Sequence, residues 1–140
     1  MIKYALYSLC FSASLLGIPK ASPYSISGDL NKWSRVTIDF KGPSLDESST
    51  SPNPFLDFAL NVKFTSPSGK THLVPGFFDG DGMGNGKGNV WRVRFSPDEK
   101  GLWKFAAYFK EGKDIAIQTN GNSKSNVNGK PFHFDGTTGT

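Results

Sequence analysis

The chain has 140 residues, 16 of them basic and 12 acidic, with a formal charge of +4 and 14% aromatic residues, which bounds it to one domain of ordinary size. No run of five like charges occurs and the basic residues alternate with apolar ones, which argues against a nucleic-acid-binding surface. The one cysteine, Cys10, lies in an apolar N-terminal stretch, so disulfides do not hold the remainder together.

Met1-Ile2-Lys3 is a short basic start, Tyr4 to Ile18 is apolar and almost uncharged, and Lys20-Ala21-Ser22 ends near small residues. That is the pattern of a secretory signal. A membrane anchor is the alternative, but an apolar run of roughly 15 residues falls short of the ~20 that a spanning helix needs. Residues 1–21 are therefore predicted to be a signal peptide, the chain to be secreted or periplasmic, and no membrane association to remain after processing. Loss of Lys3 and Lys20 leaves 14 basic against 12 acidic residues, a net +2.

Ser34 to Phe40 alternates Val36, Ile38 and Phe40 with polar residues, the period of two of a strand with one buried face. Lys41 to Pro54 is rich in Ser, Pro and acidic residues and is expected to be a surface loop. Phe58, Leu60, Val62 and Phe64 renew the alternation, Ser66-Pro67-Ser68-Gly69-Lys70 turns the chain, and Thr71 to Val74 returns as a hairpin. Pro75-Gly76 should end that strand. Gly80 to Gly88 reads as a flexible loop. In Val90 to Phe95 the inward set is Trp91, Val93 and Phe95, since the alternative would bury two arginines. After a turn at 96–101, Trp103, Phe105, Ala107 and Phe109 share one face of a long strand, and Trp91 and Trp103 are the expected core centre. Ile115 to Gln118 reads as a short strand, Asn120 to Lys130 as a polar linker, and Phe132-His133-Phe134 as the start of one more strand.

Six or seven short strands with turns every ~8 to 12 residues predict an all-β, antiparallel two-sheet β-sandwich of immunoglobulin-like type, with a small open barrel as the alternative. The predicted organisation is a signal peptide at 1–21, a β-sandwich at 28–118, and a linker with the start of a truncated connection at 119–140.

Three kinds of chemistry are weighed. Asp79, Asp81 and Asn85, spaced by glycines, offer hard oxygens to Ca²⁺. Met83 and Val90, however, occupy two ligand positions of the calcium-loop pattern, so a mobile hairpin tip is the competing reading. The close acid pairs, Asp79 with Asp81 and Asp98 with Glu99, sit where Asp commonly forms turns, and no catalytic constellation is expected. Trp33, Phe77, Phe78 and Tyr108, with Tyr24, are candidates for stacking on sugar rings, core or inter-domain packing being the alternative.

The words Asn31-Lys32-Trp33, Val36 to Pro43, Asn53-Pro54-Phe55-Leu56-Asp57, Leu60 to Phe64, Val74 to Phe78, and Trp91 to Glu99 with Gly101 and Trp103 resemble domain of unknown function family 5060 from about Gly28 to Phe109. The resemblance implies an N-terminal β-sandwich module that precedes a catalytic (β/α)₈ barrel in secreted glycoside hydrolases. It implies a hydrolase barrel as partner and no catalytic residue within the module; the aromatic candidates make polysaccharide a further expected partner, and no cofactor is expected other than Ca²⁺ at the glycine loop.

Overall fold

The computed structural model describes residues 21–118 and 129–140. Among these described residues nine strands form two antiparallel sheets: β1 Tyr24–Gly28, β2 Val36–Asp46, β3 Phe58–Thr65, β4 Thr71–Pro75, β5 Phe77–Phe78, β6 Lys87–Phe95, β7 Lys104–Glu111, β8 Lys130–Pro131 and β9 Thr138–Gly139. The first sheet has the order β1-β2-β6-β5, and the second runs β4-β3-β7 with β8 and β9 both against β7. Their facing sides form the core of a β-sandwich, as the alternation predicts.

The inward residues are those of the period-two pattern. Ile38 and Phe40 of β2, Phe58, Leu60, Val62 and Phe64 of β3, Trp91 and Val93 of β6, and Phe105, Ala107 and Phe109 of β7 are all buried. Trp91 is the hub, its ring 5.3 Å from Phe58, 5.3 Å from Phe78 and 4.7 Å from Phe109. Tilted and edge-on contacts of this kind match ring edges to ring faces and add to the burial of apolar area. Trp103 is not a second centre. It precedes β7, is half-buried against Phe95 and His72, and donates its indole N–H to Glu99 O at 3.1 Å.

Several elements depart from the sequence expectation. Tyr24–Gly28 pairs with β2 from Tyr24↔Phe40 to Gly28↔Val36, a strand that the Ser- and Gly-rich composition concealed. The expected loop after Phe40 is strand as far as Asp46, because β2 crosses a bulge between Lys41 and Leu45. At that bulge Gly42 lies against the Trp91 indole, which leaves no room for a Cβ, and Pro43 O accepts the indole N–H at 3.4 Å. Ile115–Ile117 is a turn of 3₁₀ helix, not a strand, with Ile115 buried.

The expected linker falls mostly at 119–128, outside the described residues. Beyond it the chain returns to the sandwich: β8 and β9 pair with β7, and Phe134 stacks between Phe40 at 4.6 Å and Phe109 at 4.5 Å. Asp135 fixes this return, its Oδ1 accepting Phe109 N–H at 2.7 Å and its Oδ2 facing Lys110 Nζ at 2.9 Å. Residues 130–139 are thus part of the sheet and the core.

Gly76 carries the chain between the sheets. Pro75 pairs with Asn61 in the second sheet, while Phe77 pairs with Arg92 in the first. Between them Gly76 donates its N–H to Leu60 O at 2.8 Å and lies so close to the Leu60 side chain that a Cβ would collide with it.

Candidate functional site

Two regions of the surface carry side chains with more than a packing role. The first is the outer face of the first sheet. Because Trp91 and Val93 point inward, Arg92 and Arg94 point outward, and Arg92 becomes the centre of a charge cluster. Its Nε and Nη2 meet the two oxygens of Asp39 at 2.6 and 2.8 Å, and its Nη1 donates to Asp79 Oδ2 and to Gly82 O. The Asp39 hydrogen bonds raise the Arg92 pKa further above its ordinary value against the opposing pull of burial. A bidentate pair with a second carboxylate leaves the guanidinium neutralised, so it acts as a rivet between β2, β6 and the glycine loop.

That loop is ordered by its own acid. Asp81 Oδ1 accepts the N–H groups of Met83 at 2.8 Å and Asn85 at 3.0 Å, and these bonds hold its carboxyl below the usual range. Gly80, Gly82 and Gly84 adopt positive φ there, and Glu47 N–H donates to Gly86 O. Of the three residues with oxygens suited to Ca²⁺, Asp79 is paired with Arg92 and Asp81 caps the loop, while the Asn85 backbone receives that cap. Among the described residues no three His, Cys, Asp or Glu side chains gather as a metal-binding group.

The aromatic candidates separate. Trp33 is 69% exposed, with its backbone N–H on Pro97 O at 2.8 Å and Lys32 Nζ 5.1 Å from its ring. Phe77 is partly exposed on the outer face beside Arg92, with the Arg94 guanidinium 5.4 Å from its ring. Phe78 points the other way and is 6% exposed between Trp91 and Phe55, so core packing removes it from any sugar-stacking surface. Tyr108 is half-buried on the second sheet, opposite Asn61 in the register, and Tyr24 packs edge-on against Phe105 at 5.0 Å. Trp33, Phe77 and Tyr108 are thus distributed over a sandwich end and two different sheets.

Two more acids, Asp57 and Glu99, tie loops, whereas Asp98 Oδ1 is buried without a hydrogen-bond partner among the described residues. Asp57 Oδ2 accepts Asn53 N–H at 2.8 Å and its Oδ1 accepts Asp114 N–H at 3.0 Å, which lowers its pKa. Asn53 Oδ1 in turn accepts Phe55 and Leu56 N–H. The Asn-Pro-Phe-Leu-Asp word is therefore a clamp between this turn and the 112–116 segment. Glu99 receives the Ser68 hydroxyl at 2.6 Å and the Ser68 N–H at 3.1 Å, with its pKa lowered chiefly by that hydroxyl.

The second region was not visible in the sequence. A largely apolar cleft of about 250 Å³ opens between the sheets beside β1, lined by Ile26, Leu30, Phe95, Leu102, Trp103 and Phe105 among others. Leu30 and Leu102, at its rim, are 67% and 65% exposed. The alternation of Tyr24 and Ile26 with Ser25 and Ser27 is the one sequence signal that could have revealed it.

These features define the class: a small antiparallel β-sandwich in which Asp57, Asp79, Asp81, Glu99 and Asp135 hold its own loops. The chain belongs to the family described as Domain of unknown function (DUF5060), which matches residues 29–110, more than half its length. No curated protein and no solved structure matches the chain.

Proposed function

We propose that the chain is an exported, non-catalytic accessory module of a glycoside hydrolase-type protein, one that positions or stabilises a catalytic barrel in polysaccharide degradation. The observation that carries this reading is the use made of the carboxylates. Glycoside hydrolysis needs two carboxyl groups facing one another across a substrate site. Here Asp39 and Asp79 neutralise Arg92, Asp57, Asp81 and Asp135 accept backbone N–H groups, and Glu99 holds Ser68. The same bonds give the module stiff loops at both ends of the sandwich, a useful property for a docking unit. The genomic locus tests the reading: a hydrolase barrel encoded in the same frame or beside this chain is expected, and its absence would contradict the proposal.

A second reading, direct glycan binding, is favoured by the exposure of Trp33 and by Phe77 beside Arg94. Affinity electrophoresis through gels containing plant and microbial polysaccharides tests it. Retardation that Trp33→Ala or Phe77→Ala abolishes supports this reading, and unretarded migration in every gel removes it.

A further inference from the structure

We propose that β1 is a self-association edge, on which a second copy of this chain pairs its own β1 antiparallel to form one continuous sheet across two molecules. The direction of the free backbone groups comes from the β1–β2 register. Lys41 N–H donates to Pro23 O at 3.0 Å, next to the Tyr24↔Phe40 pair. Antiparallel pairs alternate between bonded and non-bonded, so Ser25 and Ser27 bond toward β2, while Tyr24, Ile26 and Gly28 turn their N–H and C=O groups away from it. Tyr24 N–H accordingly reaches only Ser22 Oγ, at 3.4 Å. Among the described residues no strand pairs with that outer edge.

Sheet edges are ordinarily blocked by charge, proline, shortness or a covering segment, and the other edges here show those devices. β5, β8 and β9 have two residues each, and β8 is Lys130-Pro131. β4 follows Lys70 and ends in Pro75, which has no N–H, and the crossover at Gly76 carries the chain to the other sheet on that side. Among the described edge strands only β1 offers five residues with neither charge nor proline.

The sequence of the edge selects a second copy as the occupant. Tyr-Ser-Ile-Ser-Gly is self-complementary about Ile26: antiparallel pairing sets Ile26 against its twin, Ser25 against Ser27, and Tyr24 against Gly28, the bulky ring opposite the residue without a side chain. A twofold interface requires such self-matching. The outward groups of Tyr24, Ile26 and Gly28 would bond one another in this register. Ile26 is 37% exposed and lines the apolar cleft, so the added strand would also cover apolar surface, as strands added to an edge do when alternate side chains enter pockets.

Sedimentation velocity of the full chain over a concentration series provides the test, with Ile26→Lys as the variant. The wild type is expected to show a reversible monomer–dimer equilibrium. Ile26→Lys should weaken it by about tenfold or more, because it places like charges directly opposite each other at the edge, with the far-ultraviolet spectrum unchanged. A second variant, Ile26→Cys in a Cys10→Ser background, is expected to form a disulfide-linked dimer on mild oxidation, since directly opposed strand residues stand within disulfide reach. A wild type that stays monomeric at every concentration overturns the proposal. So does a dimer that Ile26→Lys leaves intact and that Ile26→Cys does not trap.

Discussion

Replacing Phe134 with Ala tests whether the residues after 129 belong to the folding unit. Phe134 is 5% exposed, and its ring lies nearly parallel to both Phe40 and Phe109, at interplanar angles of 12° and 15°. Truncating a buried Phe costs about 3 to 5 kcal/mol in lost transfer energy and cavity formation. A domain of this size has about 5 to 15 kcal/mol in total, so the loss is a large fraction of its stability. At about 4 °C per kcal/mol for a chain between the small and medium size classes, the midpoint should fall by roughly 12 to 20 °C. Urea unfolding followed by tryptophan fluorescence is a suitable assay, because Trp91 is buried in the same aromatic cluster. A change below about 0.5 kcal/mol, the range of an exposed substitution, would show that this segment does not complete the core.

Trp91→Ala should cost about 3 to 5 kcal/mol, and Trp103→Ala, half-buried at the cleft, about half as much; equal losses in chemical denaturation would contradict the assignment of Trp91 as the hub. Asp57→Asn should flatten the acid limb of the stability profile. The folded Asp57 pKa lies below its ordinary 3.8, so its stabilisation is present above that value and is lost as pH falls through the folded pKa; wild type and variant with the same slope between about pH 5 and 2 would refute the clamp. Calorimetric titration with Ca²⁺, against a chelator control, should give no saturable heat, because a cation at Asp79 and Asp81 must displace Arg92 and the loop N–H groups. A saturable heat that Asp81→Asn removes would establish the calcium site instead.

Much of the fold was legible in the sequence because it depends on side-chain alternation. The inward residues of β3, β6 and β7 follow it, and Trp91 could be recognised as core. The strands that alternation missed are those with little to bury. β1 alternates only Tyr24 and Ile26 with serines before Gly28, too few apolar residues to stand out, and β8 and β9 are too short to show a period. Trp103 fits the pattern of β7 but precedes the strand, where the sandwich opens into the cleft, so periodicity overstated its burial. Phe78 could not be told from Phe77 by composition. The one-residue crossover at Gly76 determines that Phe77 faces out and Phe78 faces in. The acids of the glycine loop were legible as turn formers, but Asp57 also accepts the Asp114 N–H, 57 residues away in sequence, and such a partner belongs to the tertiary fold.

The proposed accessory role is tested most directly by the thermal inactivation of a hydrolase barrel, once one is found encoded with this chain, measured with the sandwich attached and with it removed. The account predicts faster inactivation of the barrel alone, with turnover per active enzyme unchanged at low temperature. Identical inactivation rates, or hydrolysis by the sandwich in the absence of any barrel, would contradict it.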